Sequence, residues 1–126
     1  MQAAVYIIKG ENFSDFKGFI EECNRSFISS FGGAWNGNLD AFDDYLSWAE
    51  GNYELHWLNS SKSKSDLDHS EMEKRLTDVL ETCHPSNRKS VKKRIRMAKR
   101  SEGQTLFEEL IEIIEGHSDQ LSIQRR

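Results

Sequence analysis

The chain has 126 residues, 17 Lys and Arg against 21 Asp and Glu, and a formal net charge of −4. That length suits one domain with a real core and no need of a disulfide staple, and no apolar run approaches the ~20 residues that span a bilayer. Its start, Met-Gln-Ala-Ala-Val-Tyr-Ile-Ile-Lys-Gly, lacks a basic leader and runs out of apolar residues too early for a signal peptide, so a cytoplasmic location is expected and the sequons at Asn12, Asn24 and Asn59 are read as idle.

In chain order, Ala3–Ile8 is a short apolar run closed by Gly10 and reads as a buried strand through Val5, Ile7 and Ile8. Ser14 is placed to cap a helix that carries Phe16, Phe19, Ile20, Cys23 and Phe27 on one face. Ser29, Ser30, Gly32 and Gly33 predict a flexible loop leading to Trp35. Asn38 then caps a helix of two faces. Phe42, Tyr45, Leu46 and Ala49 form an apolar stripe, and Asp40, Asp43 and Asp44 recur at i, i+3 and i+4 on the other side, with Trp48 at their edge. Acids near a helix start complement its dipole whatever else they do.

Gly51-Asn52 is a turn, and Tyr53–Leu58 alternates as a second strand through Tyr53, Leu55 and Trp57. Ser60–Ser65 reads as a polar linker of Ser and Lys. From Ser70, a helix with Met72, Leu76, Val79, Leu80 and Cys83 runs until Pro85 stops it. Val91, Ile95 and Ala98 thread a short helix through a basic stretch. Leu106–Ile114 is the last helix, with Phe107, Leu110, Ile111 and Ile114 inward and Glu108, Glu112 and Glu115 on another face, ended by Gly116. Leu121-Ser-Ile-Gln closes the chain as a brief strand. Strands separated by helical segments require crossover connections, hence an α/β fold with a small three-stranded parallel sheet.

Charge is unevenly spread. Between Cys83 and Glu102 lie Arg88, Lys89, Lys92, Lys93, Arg94, Arg96, Lys99 and Arg100 with no acid among them, which leaves nine basic residues against 21 acidic ones elsewhere, a body near −12. Such a body attracts and steers a basic partner. Cys23 and Cys83 sit in separate helical patterns without metal-ligand spacing and read as reduced thiols. His56, His69, His84 and His117 are scattered, and Cys83-His84 alone makes no zinc site, so neither metal nor cofactor is expected. Asp40 and Asp44 are two carboxylates one helical turn apart. No nucleophile elbow, phosphate loop or second type of base accompanies them, which argues against an enzyme.

Asn38-Leu39-Asp40-Ala41-Phe42, followed by Asp44 and Leu46, resembles the signature helix of the barstar family of ribonuclease inhibitors, in which Gly-Xaa-Asn-Leu-Asp-Ala-Leu follows an aromatic loop and precedes Asp-Xaa-Leu. The order of strands and helices is similar over about two-thirds of the chain. Residues 60–100 form a connection far longer than the family's, an enlarged helical insertion within a single domain spanning 1–126. Two details depart from the pattern: Asp43 stands where the family often has tryptophan, and Trp35-Asn36-Gly37 displaces the usual glycine by one place.

The resemblance implies a non-catalytic protein that blocks the active site of a basic ribonuclease, or an immunity protein against a ribonuclease toxin. It implies a partner-binding surface of Trp35, Asn36, Asn38, Leu39, Asp40, Asp43, Asp44 and Trp48, joined by Glu108, Glu112 and Glu115 of the late helix. The alternative is a nucleic-acid-binding or regulatory protein acting through the basic segment 88–100. On sequence, direct nucleic-acid binding is the less favoured of the two because the remaining chain is so acidic.

Overall fold

The computed structural model describes residues 3–126. Three strands, β1 (Ala4–Lys9), β2 (Tyr53–Leu58) and β3 (Leu121–Arg125), form a parallel sheet in the order β1-β2-β3. The register pairs Tyr6 with Leu55 and Ile8 with Trp57, then Tyr53 with Leu121 and Leu55 with Ile123. Because side chains alternate along a strand, one face of the sheet carries Tyr6, Ile8, Tyr53, Leu55, Trp57 and Leu121. Helices cover that face, and Ile8, Leu55 and Trp57 are fully buried there. The opposite face shows Val5 and Ile7, 48% and 42% exposed. The expectation of a wholly buried first strand is therefore corrected: the strand is present, but only alternate side chains point inward.

Six α-helices connect the strands: α1 (Phe16–Cys23), α2 (Leu39–Leu46), α3 (Ser60–Asp66), α4 (His69–Thr82), α5 (Arg88–Lys99) and α6 (Leu106–Glu115). α1 is capped by Asp15, whose side chain accepts from the Gly18 N–H at 2.8 Å, and not by Ser14 as the sequence suggested. Asp15 stands three residues before that amide, the spacing an N-cap needs. α1 then continues through a π-helical stretch, Asn24–Ile28, and a 3-10 turn, Ser29–Phe31, where a flexible loop was expected. Phe27 and Ile28, both in this widened stretch, are fully buried in the core. Gly32, at φ +87°, ends the run.

The stretch Ser60–Asp66 corrects a second expectation. It is helix α3, not a linker. Few apolar side chains mark it, and tertiary hydrogen bonds hold it instead. Buried Ser63 accepts from Trp57 Nε1 at 2.9 Å, and Lys62 Nζ donates to the Phe13 carbonyl at 2.5 Å and pairs with Asp66 at 2.6 Å. α4 starts at His69 with Asp68 as its cap, and it stops before Pro85. α6 buries Leu106, Phe107, Leu110, Ile111 and Ile114, and a reciprocal Thr105–Glu108 capping box fixes its start. Phe19 stacks on Trp57 with ring centroids 5.1 Å apart, tying α1 to the centre of the sheet. Burying aromatics of this size contributes roughly 4–6 kcal/mol each in transfer free energy, before ordering costs.

Candidate functional site

α2 is held so that its acids face out. Asn38 Oδ1 accepts from the Ala41 N–H at 2.9 Å, satisfying one free amide of the first turn. Leu39, Phe42 and Leu46 are buried, while Asp40, Asp43 and Asp44 are exposed. Gly37 precedes the cap at φ +107°, a left-handed backbone conformation that favours glycine.

Trp35 organises the preceding loop from within. Its backbone N–H and carbonyl bond the Asn24 side chain at 2.8 and 2.9 Å, and its Nε1 donates to the Asn38 carbonyl at 2.7 Å. Its ring stacks on Phe42 with centroids 4.6 Å apart and is 4% exposed. Trp35 and Leu39, 7% exposed, were expected among the partner contacts; the structure corrects this, because both spend their surface on the core. Trp48 is the exposed aromatic, at 50%, edge-on to Tyr45. Tyr45 in turn donates to the Ala34 carbonyl at 3.1 Å, which ties the loop to α2.

The three aspartates are not equivalent. Asp43 Oδ1 lies 2.6 Å from His117 Nε2, which links α2 to the turn after α6. Among the described residues, Asp40 and Asp44 form no ion pair. Both carboxylates stand in solvent one helical turn apart, ready for an external cation.

The late glutamates are more occupied than their spacing suggests. Glu108 closes the capping box: its carboxylate accepts from the Thr105 N–H at 3.0 Å while its own N–H donates to Thr105 Oγ1 at 3.1 Å, and hydrogen bonding to Thr105 holds the carboxyl below its ordinary pKa. Glu112 accepts from the Gln104 side chain, and Glu115 is exposed. The α6 acid with ionic partners is Glu109, which sequence reasoning passed over: Arg94 reaches it at 3.2 Å and Arg75 at 3.7 Å.

Arg75 was likewise not singled out, and only the packing of α4 against α6 reveals it. Its side chain is 13% exposed, with Nε and Nη1 lacking hydrogen-bond partners. Burial pulls its pKa down, opposed by the charges of Glu109 and Asp40. The charge of Asp40 on α2 is thus felt by Arg75 on α4. Between α4 and the α1 start lies an open groove of about 730 Å³, lined by Phe16, Ile20, Asn36, Gly37 and Asn38 on one side and by Glu71, Arg75 and Asp78 on the other.

Among the described residues, no group of three or more His, Cys, Asp or Glu side chains is arranged to hold a metal ion, and no helix is long and apolar enough to cross a membrane. Both cysteines are free thiols.

Fold and surface together define a small α/β protein that presents an acidic helix backed by an aromatic core. The family model described as Barstar (barnase inhibitor) matches residues 3–100, and the chain belongs to the barstar family. No curated protein and no solved structure matches it. The match covers β1 through α5 and ends before α6, so it includes Asp40 and Asp44 and lends nothing to Glu108, Glu112 or Glu115.

Proposed function

We propose that the protein is a non-catalytic cytoplasmic inhibitor that occupies the active site of a basic ribonuclease, serving as an immunity protein where that nuclease is a toxin. The observation that carries this reading is the pair Asp40 and Asp44, exposed and free of internal ion pairs on a helix whose cap and core packing fix its direction. A nuclease gathers Arg, Lys and His to hold RNA phosphates. Two carboxylates on a backbone already held in place meet such a cluster with charge-assisted hydrogen bonds, and the inhibitor's helix needs no ordering in doing so. Asn36 and Asn38 border the same surface, and Trp48 supplies an exposed aromatic that shields the charged contacts from water.

The test is calorimetric titration of the co-purified nuclease with the wild-type protein and with Asp44→Ala. The variant should stay folded, because the Asp44 carboxylate serves no internal contact, and it should bind a few kcal/mol more weakly. That size is the one known for charged hot spots of the barnase–barstar pair. A loss under about tenfold, 1.4 kcal/mol, removes Asp44 from the centre of the interface. Stopped-flow association should also slow steeply with added salt, since screening weakens attraction between the acidic body and a basic partner.

A further inference from the structure

α5 is a continuous 12-residue helix whose inward residues are Val91 and Ala98, both buried, and half-buried Ile95. Its other face is basic. Arg94 is committed to Glu109, and Arg88 donates to the Leu80 carbonyl at 3.0 Å. Lys89, Lys92, Lys93, Arg96 and Lys99 are exposed, and among the described residues none of them has an ionic partner.

This arrangement works against the stability of the helix. Its first turn contains no acid and begins Arg88-Lys89, which opposes the helix dipole. Along the helix, cations repeat at i+3 and i+4 (89–92, 89–93, 92–96, 93–96, 96–99) with no carboxylate between them, and each such like-charge neighbour is unfavourable. A face meant only for solvation would gain from mixed signs. A bound polyanion would offset these repulsions with attractions of its own to each cation.

We infer that the outer face of α5 is a second binding surface, separate from the acidic helix α2, and that its ligand is the phosphate backbone of RNA. Three features select that occupant. The cations recur about once per helical turn, roughly 5.4 Å, a step of the same order as the spacing of charges along a nucleic-acid strand. The exposed large apolar residues of the described chain are Val5, Ile7 and Trp48, none of them on α5. The surface thus lacks the anchor that a protein interface or a lipid-inserting helix requires. No aromatic stands among the cations for bases to stack on, so contact is with the backbone and independent of sequence. The acidic surface does not forbid this: α5 packs along α4, and it is α4 that borders the groove beside Asn36–Asn38. RNA on α5 would hold the inhibitor near the substrate of the enzyme it blocks.

The experiment is fluorescence anisotropy of a short labelled single-stranded RNA titrated with the full chain, with no nuclease present, so its outcome does not depend on the inhibitor reading. Neutralising four phosphates predicts a slope near −2.8 in log K against log salt, about fifty-fold weaker binding at 200 mM than at 50 mM salt. The combined variant Lys89→Gln, Lys92→Gln, Lys93→Gln and Arg96→Gln should lose at least tenfold in affinity at low salt and flatten that slope. Its thermal midpoint should hold or rise, since like-charge neighbours are removed. Absence of RNA binding at low salt, or equal binding by the variant, overturns the inference. Tighter binding to an acidic polypeptide or to anionic phospholipid vesicles than to RNA overturns it as well.

Discussion

Glu22 is the buried acid of this fold, 4% exposed, and removing it should cost more than removing any surface charge. Its carboxylate accepts from the Lys9 N–H at 2.8 Å, from Asn12 Nδ2 at 3.1 Å and from Arg25 Nη2 at 2.6 Å, joining α1 to the end of β1. Burial pushes its pKa up, but Arg25, the Lys9 amide and Asn12 together outweigh that and hold it below the ordinary 4.5. In Glu22→Ala the Lys9 amide loses its acceptor, at about 1–3 kcal/mol for a donor left unpaired, while the exposed Asn12 side chain can turn to water. The Arg25 bridge adds under about 1 kcal/mol, because Arg25 is 58% exposed. The total is about 3 kcal/mol. At about 2.1 cal/mol/K per residue, the unfolding entropy of 126 residues converts this to a fall of about 10 °C in Tm.

The pH dependence has a definite sign. A carboxyl whose folded pKa is depressed contributes stability above its unfolded value, and that contribution is lost as pH falls through the folded one. The wild type should therefore weaken below about pH 4.5. Glu22→Gln, which keeps the shape and removes the charge, should lose that part of the acid slope. Urea melts followed by circular dichroism at neutral and acid pH decide it. A Glu22→Ala cost below about 1 kcal/mol, or an unchanged acid slope in Glu22→Gln, would refute the reasoning.

Other substitutions separate support from contact. Trp35→Ala should destabilise by about 3–5 kcal/mol in a denaturant melt, as a large buried aromatic does, whereas Trp48→Ala should cost less than about 1.5 kcal/mol and instead weaken nuclease binding. Equal stability losses for the two tryptophans would contradict their burial. Cys23 is fully buried, and burial drives its thiol pKa well up, while Cys83 is half-buried. A thiol reagent should therefore titrate one cysteine quickly in the native protein and both in denaturant. Two fast thiols in the native protein would show α1 opening readily.

The sequence by itself determined much of this molecule, wherever apolar periodicity and local chemistry agree. The three strands, the parallel sheet, the Asn38 cap and the inward stripe of α6 follow from spacings within a few residues, and the barstar signature lies inside one such stretch. Reading was weaker where stabilisation is not local. α3 looks like a linker because no apolar stripe marks it: its Lys62 rests on the carbonyls of Gly10 and Phe13, residues distant in the chain, and its Ser63 on the Trp57 side chain of β2. The π-helical stretch breaks the 3.6-residue period that sequence reading assumes. Spacing put Asp40 and Asp44 on one outward face, but it could not tell an exposed tryptophan from a core one. Trp35 and Trp48 are the same residue type flanking one helix, and only the packing of Phe16, Phe19 and Phe42 decides that the first is covered and the second is not. Likewise, Arg75 meets Glu109 across 34 positions of chain because α4 folds back on α6, a proximity that no periodicity encodes.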